Sequence, residues 1–242
     1  MSVKLLNAEG RVLFLSGATG GIGRAVQDQY LAAGGRIAAF DLAASHAREG
    51  VFSIEGDAAR EQDAARAVHE ALVQYGRIDA FVHAAGIVGP GKLGDITPDG
   101  WRAVMEANLT SAFLLCQALS AALKESGGAA VFFGSVNGAH GGSGVSGPAY
   151  AAAKAGLANF GRYLAKEWAP HVRVNTIVAG PVRTPMLDRL SEDTLRAATS
   201  AMLTRAMIEP AEAGATAAFL LSDHARSITG ASINLSGGLL LD

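Results

Sequence analysis

The sequence has only one cysteine, Cys116, among its 242 residues. One cysteine cannot form an internal disulfide, and Glu9 and Arg11 interrupt the N-terminal apolar stretch before it could serve as the core of a signal peptide. We therefore expect a cytoplasmic protein in which Cys116 is a small buried apolar side chain. No cysteine/histidine cluster has the spacing of metal ligands, so no metal site is predicted.

Long apolar runs and an excess of charge are absent as well. No run approaches the ~18–20 apolar residues that a membrane span requires. The 20 lysines and arginines nearly balance the 22 aspartates and glutamates, giving a formal charge of −2, and no basic block of the kind that binds nucleic acid is present. These absences exclude a membrane span and argue against a nucleic-acid partner, and they leave a small-molecule substrate.

With only 7 prolines, the chain contains no proline-rich linker and no internal repeat, so we expect one domain over residues 1–242. Short apolar runs alternate with longer segments of helical period, a pattern typical of an α/β fold with a parallel sheet covered on both faces. The predicted strands are 11–16, 36–41, 51–55, 78–84, 129–134, 171–178 and 231–235. The predicted helices are 21–33, 60–75, 98–125, 148–169 and 211–221.

Two connecting segments show no clear period. Residues 42–50 are too few for more than a loop or a stub of helix between two strands. Residues 183–210 contain short amphipathic pieces between prolines, and we interpret this segment, called the cover segment below, as a mobile cover over a pocket.

A glycine-rich loop, SGATGGIG, follows the first strand over residues 16–23 and leads into a helix near Arg24. Glycines at such a turn let the backbone approach a pyrophosphate, whose charge is met by the N–H groups of the helix N-terminus. An ordinary tight strand–helix turn is the alternative. As a dinucleotide site, the loop would bind through Gly17, Thr19, Gly20, Gly21, Ile22 and Gly23.

Asp41 ends the second strand, about twenty residues after the loop. A carboxylate there can accept hydrogen bonds from an adenosine ribose and would repel a 2′-phosphate, which favours NAD(H) over NADP(H). Neither Gly20 nor Leu42 supplies a basic partner for a 2′-phosphate, although His46 and Arg48 could reach round from the next loop. The alternative is an ordinary turn aspartate at a strand end.

A second acidic residue, Asp57, follows the third strand. With Ala58 beside it, Asp57 could hydrogen-bond the amino group of an adenine. Equally, it could cap the helix that is predicted to start near Arg60.

Tyr150 and Lys154 are four residues apart and share one face if this segment is helical. They follow the fifth strand by one loop, and open parallel sheets bind ligands at the carboxyl ends of their strands. A phenol is a poor base at neutral pH, and lowering its pKa by about two to three units needs about 3–4 kcal/mol. The Lys154 cation and a positively charged nicotinamide ring could supply this stabilisation in a desolvated site.

Two further polar residues lie at places where chemistry is possible. Ser135 stands at the end of the fifth strand, where its hydroxyl could bind the oxygen of a carbonyl or an alcohol, or simply cap the strand. Asn108 interrupts the long predicted helix, where its amide could hold a water or kink the helix.

Taken together, these motifs resemble the short-chain dehydrogenase/reductase family, over about residues 11–238. The resemblance implies a doubly wound Rossmann-type sheet of seven parallel strands in the order 3-2-1-4-5-6-7. It also implies a catalytic tetrad in which Tyr150 is the acid/base and Lys154 also binds the nicotinamide ribose. Ser135 would polarise the reacting oxygen, and Asn108 would keep a water on a proton relay from Lys154.

The resemblance extends to the cofactor and to the assembly. Gly86, with Ala85 beside it, would lie against the adenosine ribose. The nicotinamide carboxamide and the phosphates would meet a later turn, formed by Gly180, Pro181, Val182 and Thr184. The family also implies a homo-oligomer, a tetramer or a dimer, formed through the helices predicted at 98–125 and 148–169.

Two departures from the family pattern have consequences. Ala84 replaces an amide that braces the central strands, and we expect a buried, hydrogen-bonded His83 to take over part of that role. The spacing from Ser135 to Tyr150 is longer than usual, so the intervening loop, which borders the substrate, is enlarged. Ser143 and Ser146 in this loop are weaker candidates for the catalytic serine.

The predicted substrate pocket is mostly apolar, which suggests a medium-sized, weakly polar substrate. Its wall would consist of Val88, Asn137, His140, Arg183, Met186, Leu187 and Leu190. For His140, an exposed loop position is an equal alternative. The sequence thus predicts an NAD-dependent enzyme that interconverts a secondary alcohol and a ketone. The alternatives are an NADPH-dependent carbonyl or 3-oxoacyl reductase and a non-catalytic NAD-sensing regulator or scaffold.

Overall fold

Seven parallel strands form one sheet in the computed structural model, which describes residues 6–89 and 91–241. The strand order is β3-β2-β1-β4-β5-β6-β7, so the predicted fold class and the order implied by the resemblance are confirmed. The strands are β1 Val12–Ser16, β2 Arg36–Asp41, β3 Val51–Glu55, β4 Ala80–His83, β5 Ala129–Ser135, β6 Arg173–Ala179 and β7 Ser232–Leu235.

Helices cover both faces of this sheet. They are α1 Gly21–Ala32, α2 Glu61–Tyr75, α3 Pro98–Met105, α4 Ser111–Ser126, α5 Val136–His140, α6 Gly147–Glu167, α7 Glu192–Ala201 and α8 Pro210–Leu221. Side chains alternate along β1, so Phe14 packs into the cluster with α2, α4 and α6, whereas Leu13 and Leu15 pack into the cluster with α1 and α8. Burial of both faces explains why the strands have continuous apolar runs.

The long helix predicted at 98–125 is divided in the structure. Between α3 and α4 lies a π-helical turn, Glu106–Thr110, with the buried Asn108 at its centre. The Asn108 Nδ2 donates 2.8 Å hydrogen bonds to the carbonyl oxygens of Val104 and Ile87. Because this amide competes for a carbonyl of the preceding helical turn, Asn108 interrupts the regular α-helical hydrogen bonding at this point.

The two segments without a clear period differ from each other. Residues 42–50 contain no helix, as predicted. The cover segment, in contrast, contains α7, which the sequence analysis missed, and a short 3₁₀ turn, Pro185–Leu187. A parallel bridge between Val182 and Ile208 joins the two ends of the cover segment. None of the described helices is long and apolar enough to cross a membrane.

Candidate active site

The glycine-rich loop turns the chain from β1 into α1 against the end of β4. Gly17 has a φ of +75°, and a Cβ on it would lie 2.4 Å from the backbone nitrogen of Ala85. Only a residue without a side chain fits this position. The loop and the first turn of α1 border a cavity of about 490 Å³ at the carboxyl ends of the strands. Every glycine-loop residue predicted to bind a cofactor lines this cavity: Gly17, Thr19, Gly20, Gly21, Ile22 and Gly23.

The carboxylate of Asp41 ties the loop to β2 and faces the same cavity. Its Oδ2 accepts hydrogen bonds from the backbone nitrogen of Thr19 at 2.8 Å and from the Thr19 hydroxyl at 2.7 Å. Its Oδ1 accepts the backbone N–H of Leu42 at 2.8 Å. These bonds hold the carboxylate in one orientation at the edge of the cavity, where the sequence analysis placed a ribose.

The basic residues that could have reached a 2′-phosphate are directed elsewhere. Arg48 pairs with Asp28 on α1 at 2.7 Å, and neither Arg48 nor His46 borders the cavity. Arg24, in the first turn of α1, is the one arginine or lysine among the described residues that lines it. The cavity therefore has a single guanidinium and the carboxylates of Asp41 and Asp57.

Asp57 and Ala58 line this cavity, as predicted. The Asp57 Oδ1 accepts the backbone N–H of Ala59 at 2.9 Å, and α2 starts only at Glu61. The side chain therefore shapes the turn before α2 and does not cap α2 itself. Because Asp57 lines the cavity, its predicted hydrogen bond with an adenine stays a prediction.

A second cavity of about 460 Å³ adjoins the first. The residues that line both cavities are Ile22, Ala84, Gly86, Thr184 and Met186. Ser135, Tyr150, Lys154 and Asn108, which lie far apart in the sequence, all line the second cavity. The structure thus brings the four predicted catalytic side chains together next to the predicted cofactor cavity.

Tyr150 and Lys154 lie one turn apart on α6, with Lys154 buried and Tyr150 half-buried. The Lys154 Nζ donates a 2.8 Å hydrogen bond to the carbonyl oxygen of Phe133 and lies 5.6 Å from the centre of the Tyr150 ring. Burial lowers the pKa of Lys154 to about 8. Burial also raises the pKa of Tyr150, and the hydrogen bond with Ser135 and the charge of Arg189 oppose that rise.

Asn108 leaves one polar atom without a partner. Its Oδ1 is buried and makes no hydrogen bond with any described residue. A Cβ on Gly86 would lie 2.3 Å from this oxygen and 3.4 Å from the Lys154 Nζ, so the oxygen and the ammonium face the same small space. An unpaired buried acceptor beside an ammonium suits a bound water or hydroxyl between them.

Ser135 is held in place where β5 ends. It is the N-cap residue of α5, and its Oγ accepts hydrogen bonds from the backbone nitrogen of Asn137 at 3.2 Å and from the Asn137 Nδ2 at 3.4 Å. Because the Oγ is the acceptor in both bonds, the Ser135 hydroxyl can donate its proton to Tyr150 or to another oxygen in the cavity.

Comparison with known proteins identifies the family. A family model described as "Enoyl-(Acyl carrier protein) reductase" matches residues 17–240. The chain is 32% identical to a 3-oxoacyl-[acyl-carrier-protein] reductase of Thermotoga maritima, with 98% of this chain and all of that protein covered. The chain belongs to the short-chain dehydrogenase/reductase family. It is therefore an oxidoreductase with a nicotinamide cofactor, and the apposed cavities and the Gly17 turn fit such a group.

Other relatives show how broad the family is. The chain is 29% identical to an acetoacetyl-CoA reductase of an Acinetobacter species, over 97% of this chain and 99% of that protein. It is 34% identical to a D-threitol dehydrogenase of Mycolicibacterium smegmatis, over 95% of this chain and 93% of that protein. A solved short-chain dehydrogenase/reductase from Brucella melitensis superposes with a TM-score of 0.92 at 29% identity, covering 98% of this chain and 99% of that one.

Most of the predicted substrate wall surrounds the second cavity of this short-chain dehydrogenase/reductase. The predicted wall residues that line it are Val88, Asn137, His140, Met186, Leu187 and Leu190. The later predicted turn also borders it, through Gly180, Pro181, Val182 and Thr184. Ser143 and Ser146 reach the wall as well, from the enlarged loop, and their hydroxyl oxygens lie 3.2 Å apart.

The prediction that Arg183 lies in the wall of the cavity is wrong. Arg183 is exposed and pairs with Glu209 at 2.8 Å, and it does not border the cavity. Arg189, six residues later, lines the cavity instead. Leu195 and Ala198 of α7 also line it, and the sequence analysis missed them because it did not predict this helix. The available signal was Ser191, which caps α7, followed by acidic residues in the first turn.

His83 braces the central strands, as predicted for a residue in this position. It is fully buried, with its Nδ1 2.7 Å from the Ser16 Oγ and its Nε2 3.4 Å from the Ser111 Oγ. The Ser111 hydroxyl donates to the carbonyl of Ala107, so the histidine Nε2 carries the proton and its Nδ1 accepts from Ser16. Burial, with the charge of Lys154 adding to it, lowers the pKa of His83 to about 3.

This depressed pKa predicts a specific loss of stability in acid. The unfolded histidine has a pKa near 6.5, so below pH 6.5 the unfolded chain binds a proton that the folded protein does not. The free energy of unfolding should therefore fall by about 1 kcal/mol per pH unit from pH 6 towards pH 4 through this residue. Urea unfolding of His83→Asn should show a correspondingly shallower pH dependence.

The exposed His69 on α2 offers the matched control. His69→Asn should retain the pH dependence of the wild type. If His83→Asn and His69→Asn have the same pH dependence, the buried neutral state of His83 is refuted.

Proposed function

We propose that this protein interconverts a secondary alcohol and a ketone with NAD(H), using Tyr150 as the acid/base. The observation that carries the proposal is the convergence of Tyr150, Lys154, Ser135 and Asn108 on a cavity that adjoins the glycine-loop cavity. A non-catalytic sensor of NAD would need only the glycine-loop cavity.

The geometry suggests what each side chain does. A bound nicotinamide supplies or accepts the hydride. Ser135 donates a hydrogen bond to the oxygen of the substrate, and Tyr150 exchanges a proton with the same oxygen. Lys154, anchored at the Phe133 carbonyl, holds the ribose and places its charge beside the phenol. Asn108 holds the water through which Lys154 regains a proton.

The choice of NAD(H) rests on Asp41. Its carboxylate lines the cavity at the end of β2 and would lie close to a 2′-phosphate, whose charge it repels. Arg48 is neutralised by Asp28 and so offers no compensation. Arg24 is the residue through which NADP(H) could still bind.

Cofactor titration tests this choice. NADH should bind at least about tenfold more tightly than NADPH, since one uncompensated charge contact is worth about 1–2 kcal/mol. Protein fluorescence quenching by each cofactor gives both Kd values. Asp41→Asn should bring the Kd for NADPH closer to the Kd for NADH, because the carboxylate that repels the 2′-phosphate is removed. Arg24→Gln should leave the Kd for NADH within about threefold of the wild-type value. Tighter binding of NADPH by the wild type would contradict the NAD(H) assignment.

A second candidate function is an NADPH-dependent carbonyl or 3-oxoacyl reductase. The names of relatives favour this substrate class, because those from Thermotoga maritima and the Acinetobacter species are named as reductases of 3-oxoacyl and acetoacetyl thioesters. Such thioesters are also ketones, so the chemistry of Tyr150 is common to both candidates. The same titration, followed by activity assays with acetoacetyl-CoA, distinguishes them.

We also infer a homo-oligomer. On α4 and α6, the helices through which the family resemblance implies assembly, Phe113 and Tyr163 expose large aromatic side chains to solvent. Exposed aromatic surface of this kind favours association with another protein surface.

A further inference from the structure

Arg189 is a solvent-exposed cation that lines the substrate cavity. It lies in the cover segment, between the 3₁₀ turn Pro185–Leu187 and α7. Within the described part of the chain, no aspartate or glutamate lines this cavity, and the titratable side chains that do are His140, Tyr150, Lys154 and Arg189. The cavity therefore offers positive charge and hydrogen-bond donors but no carboxylate to balance them.

The other three arginines of the cover segment have partners on the protein. Arg205 donates a hydrogen bond to the carbonyl oxygen of Ser200, and the other two form ion pairs. Arg183 pairs with Glu209, and Arg196 pairs with Glu192 and Asp193. Arg189, in contrast, forms no ion pair or side-chain hydrogen bond with any residue of 6–89 or 91–241. An arginine that lines a ligand cavity without an internal partner is available to a ligand, and its planar fork matches carboxylate and phosphate oxygens.

Arg189 also lines the same cavity as the proposed acid/base, Tyr150. Its charge lowers the pKa of Tyr150 against the effect of burial. A substrate that reaches both residues would hold its reacting oxygen at Tyr150 and an anionic group at Arg189. Leu187, Leu190 and Leu195 give the same cavity an apolar wall.

We propose that the substrate is a ketone or secondary alcohol that carries an anionic group, a carboxylate or a phosphate, and that Arg189 binds this group. The proposal rests on the proposed function, since it names the substrate class of the same site. The two sources of the anion are a small oxo acid, whose carboxylate is part of the substrate, and a thioester, whose phosphates belong to the carrier.

Two pairs of ketones separate these sources. Acetoacetate and methyl acetoacetate differ in the carboxylate. Acetoacetyl-CoA and the acetoacetyl thioester of N-acetylcysteamine differ in the carrier phosphates. We would measure kcat/KM with NADH for all four compounds in the wild type, in Arg189→Gln and in Arg196→Gln, which is the matched control because Arg196 lies on α7 away from the cavity.

The wild type should prefer the anionic member of one pair by about 10- to 100-fold, the range expected for hydrogen bonds to a charged group. Arg189→Gln should lose this preference and Arg196→Gln should keep it. A preference for acetoacetate over its methyl ester identifies the anionic group as the carboxylate of an oxo acid. A preference for acetoacetyl-CoA over the N-acetylcysteamine thioester identifies it as a phosphate of the carrier. Equal kcat/KM within both pairs, or a preference that survives in Arg189→Gln, overturns the proposal while the proposed function stands.

Binding provides a readout that needs no turnover. The NADH complex would be titrated calorimetrically with acetoacetate and with coenzyme A. If either compound binds the wild type and binds Arg189→Gln at least tenfold more weakly, the result supports the proposal. This holds even if none of the four ketones is reduced, because a lack of reduction would count against the proposed function alone. Absence of binding to both, or equal binding by wild type and Arg189→Gln, overturns the proposal.

Discussion

Tyr150→Phe is expected to lower kcat for NADH-dependent ketone reduction by about 10³-fold or more, while the Kd for NADH stays within about twofold. The substitution removes one hydroxyl and keeps the ring, which lies beside Lys154, so packing changes little. Loss of a positioned acid/base costs about 10²–10⁴-fold. Here the Ser135 hydroxyl could still bind the substrate oxygen but could not supply the proton.

Single-turnover absorbance at the NADH band gives the rate, and fluorescence titration gives the Kd. Tyr163→Phe is the matched control, because Tyr163 lies on the same helix with its side chain 60% exposed, and it should leave both quantities unchanged. If Tyr150→Phe turned over at the wild-type rate, Tyr150 would not be the acid/base.

Gly17→Ala is expected to abolish NADH binding or raise its Kd by more than about 100-fold. The φ of +75° already disfavours alanine. The added Cβ would also lie 2.4 Å from the Ala85 nitrogen and 2.5 Å from the Ala84 carbonyl carbon. Both are backbone atoms at the end of β4, so the clash can be relieved only by moving the loop away from the strand and out of the cofactor cavity.

A variant of this kind needs a folding control. Circular dichroism and thermal unfolding would establish that Gly17→Ala retains its helices and strands, and Gly94→Ala is the matched control because a Cβ on Gly94 meets nothing within 4 Å. Gly20→Ala, whose Cβ would lie 3.4 Å from the Gly17 carbonyl oxygen, should weaken binding by a smaller factor. Normal NADH binding by a folded Gly17→Ala would contradict the role of the loop.

The strands could be predicted from the sequence because they are short apolar runs bounded by turn residues. A short run that is apolar at every position suits a strand buried on both faces better than an amphipathic helix. Every predicted strand boundary lies within two residues of the observed one. The division of the helix predicted at 98–125 was harder to predict from the sequence. Helical period continues through the π-helical turn that separates α3 from α4, and the sequence marks this turn only by Asn108, whose amide bonds the Val104 carbonyl.

Some residues of the candidate site could likewise be placed from the sequence, and others could not. Residues at the carboxyl ends of strands, such as Asp41 and Ser135, could be placed because the topology of a parallel sheet brings those ends to one edge. The cover segment could not, since side-chain direction has no period there, and the sequence alone does not show that Arg183 turns to Glu209 while Arg189 turns to the cavity. The tie between Asp41 and Thr19 likewise depends on the folded loop.

The central claim is that hydride passes between a nicotinamide and a carbonyl carbon at a site where Tyr150 supplies the proton. The most direct measurement is reduction of a panel of neutral and anionic ketones with NADH that carries deuterium at both C4 positions. We predict an alcohol with one deuterium on the carbinol carbon for the wild type, and at least about 10³-fold less of it from Tyr150→Phe. No labelled alcohol from any ketone with the folded, NADH-bound wild type, or equal labelling by Tyr150→Phe, would contradict the account.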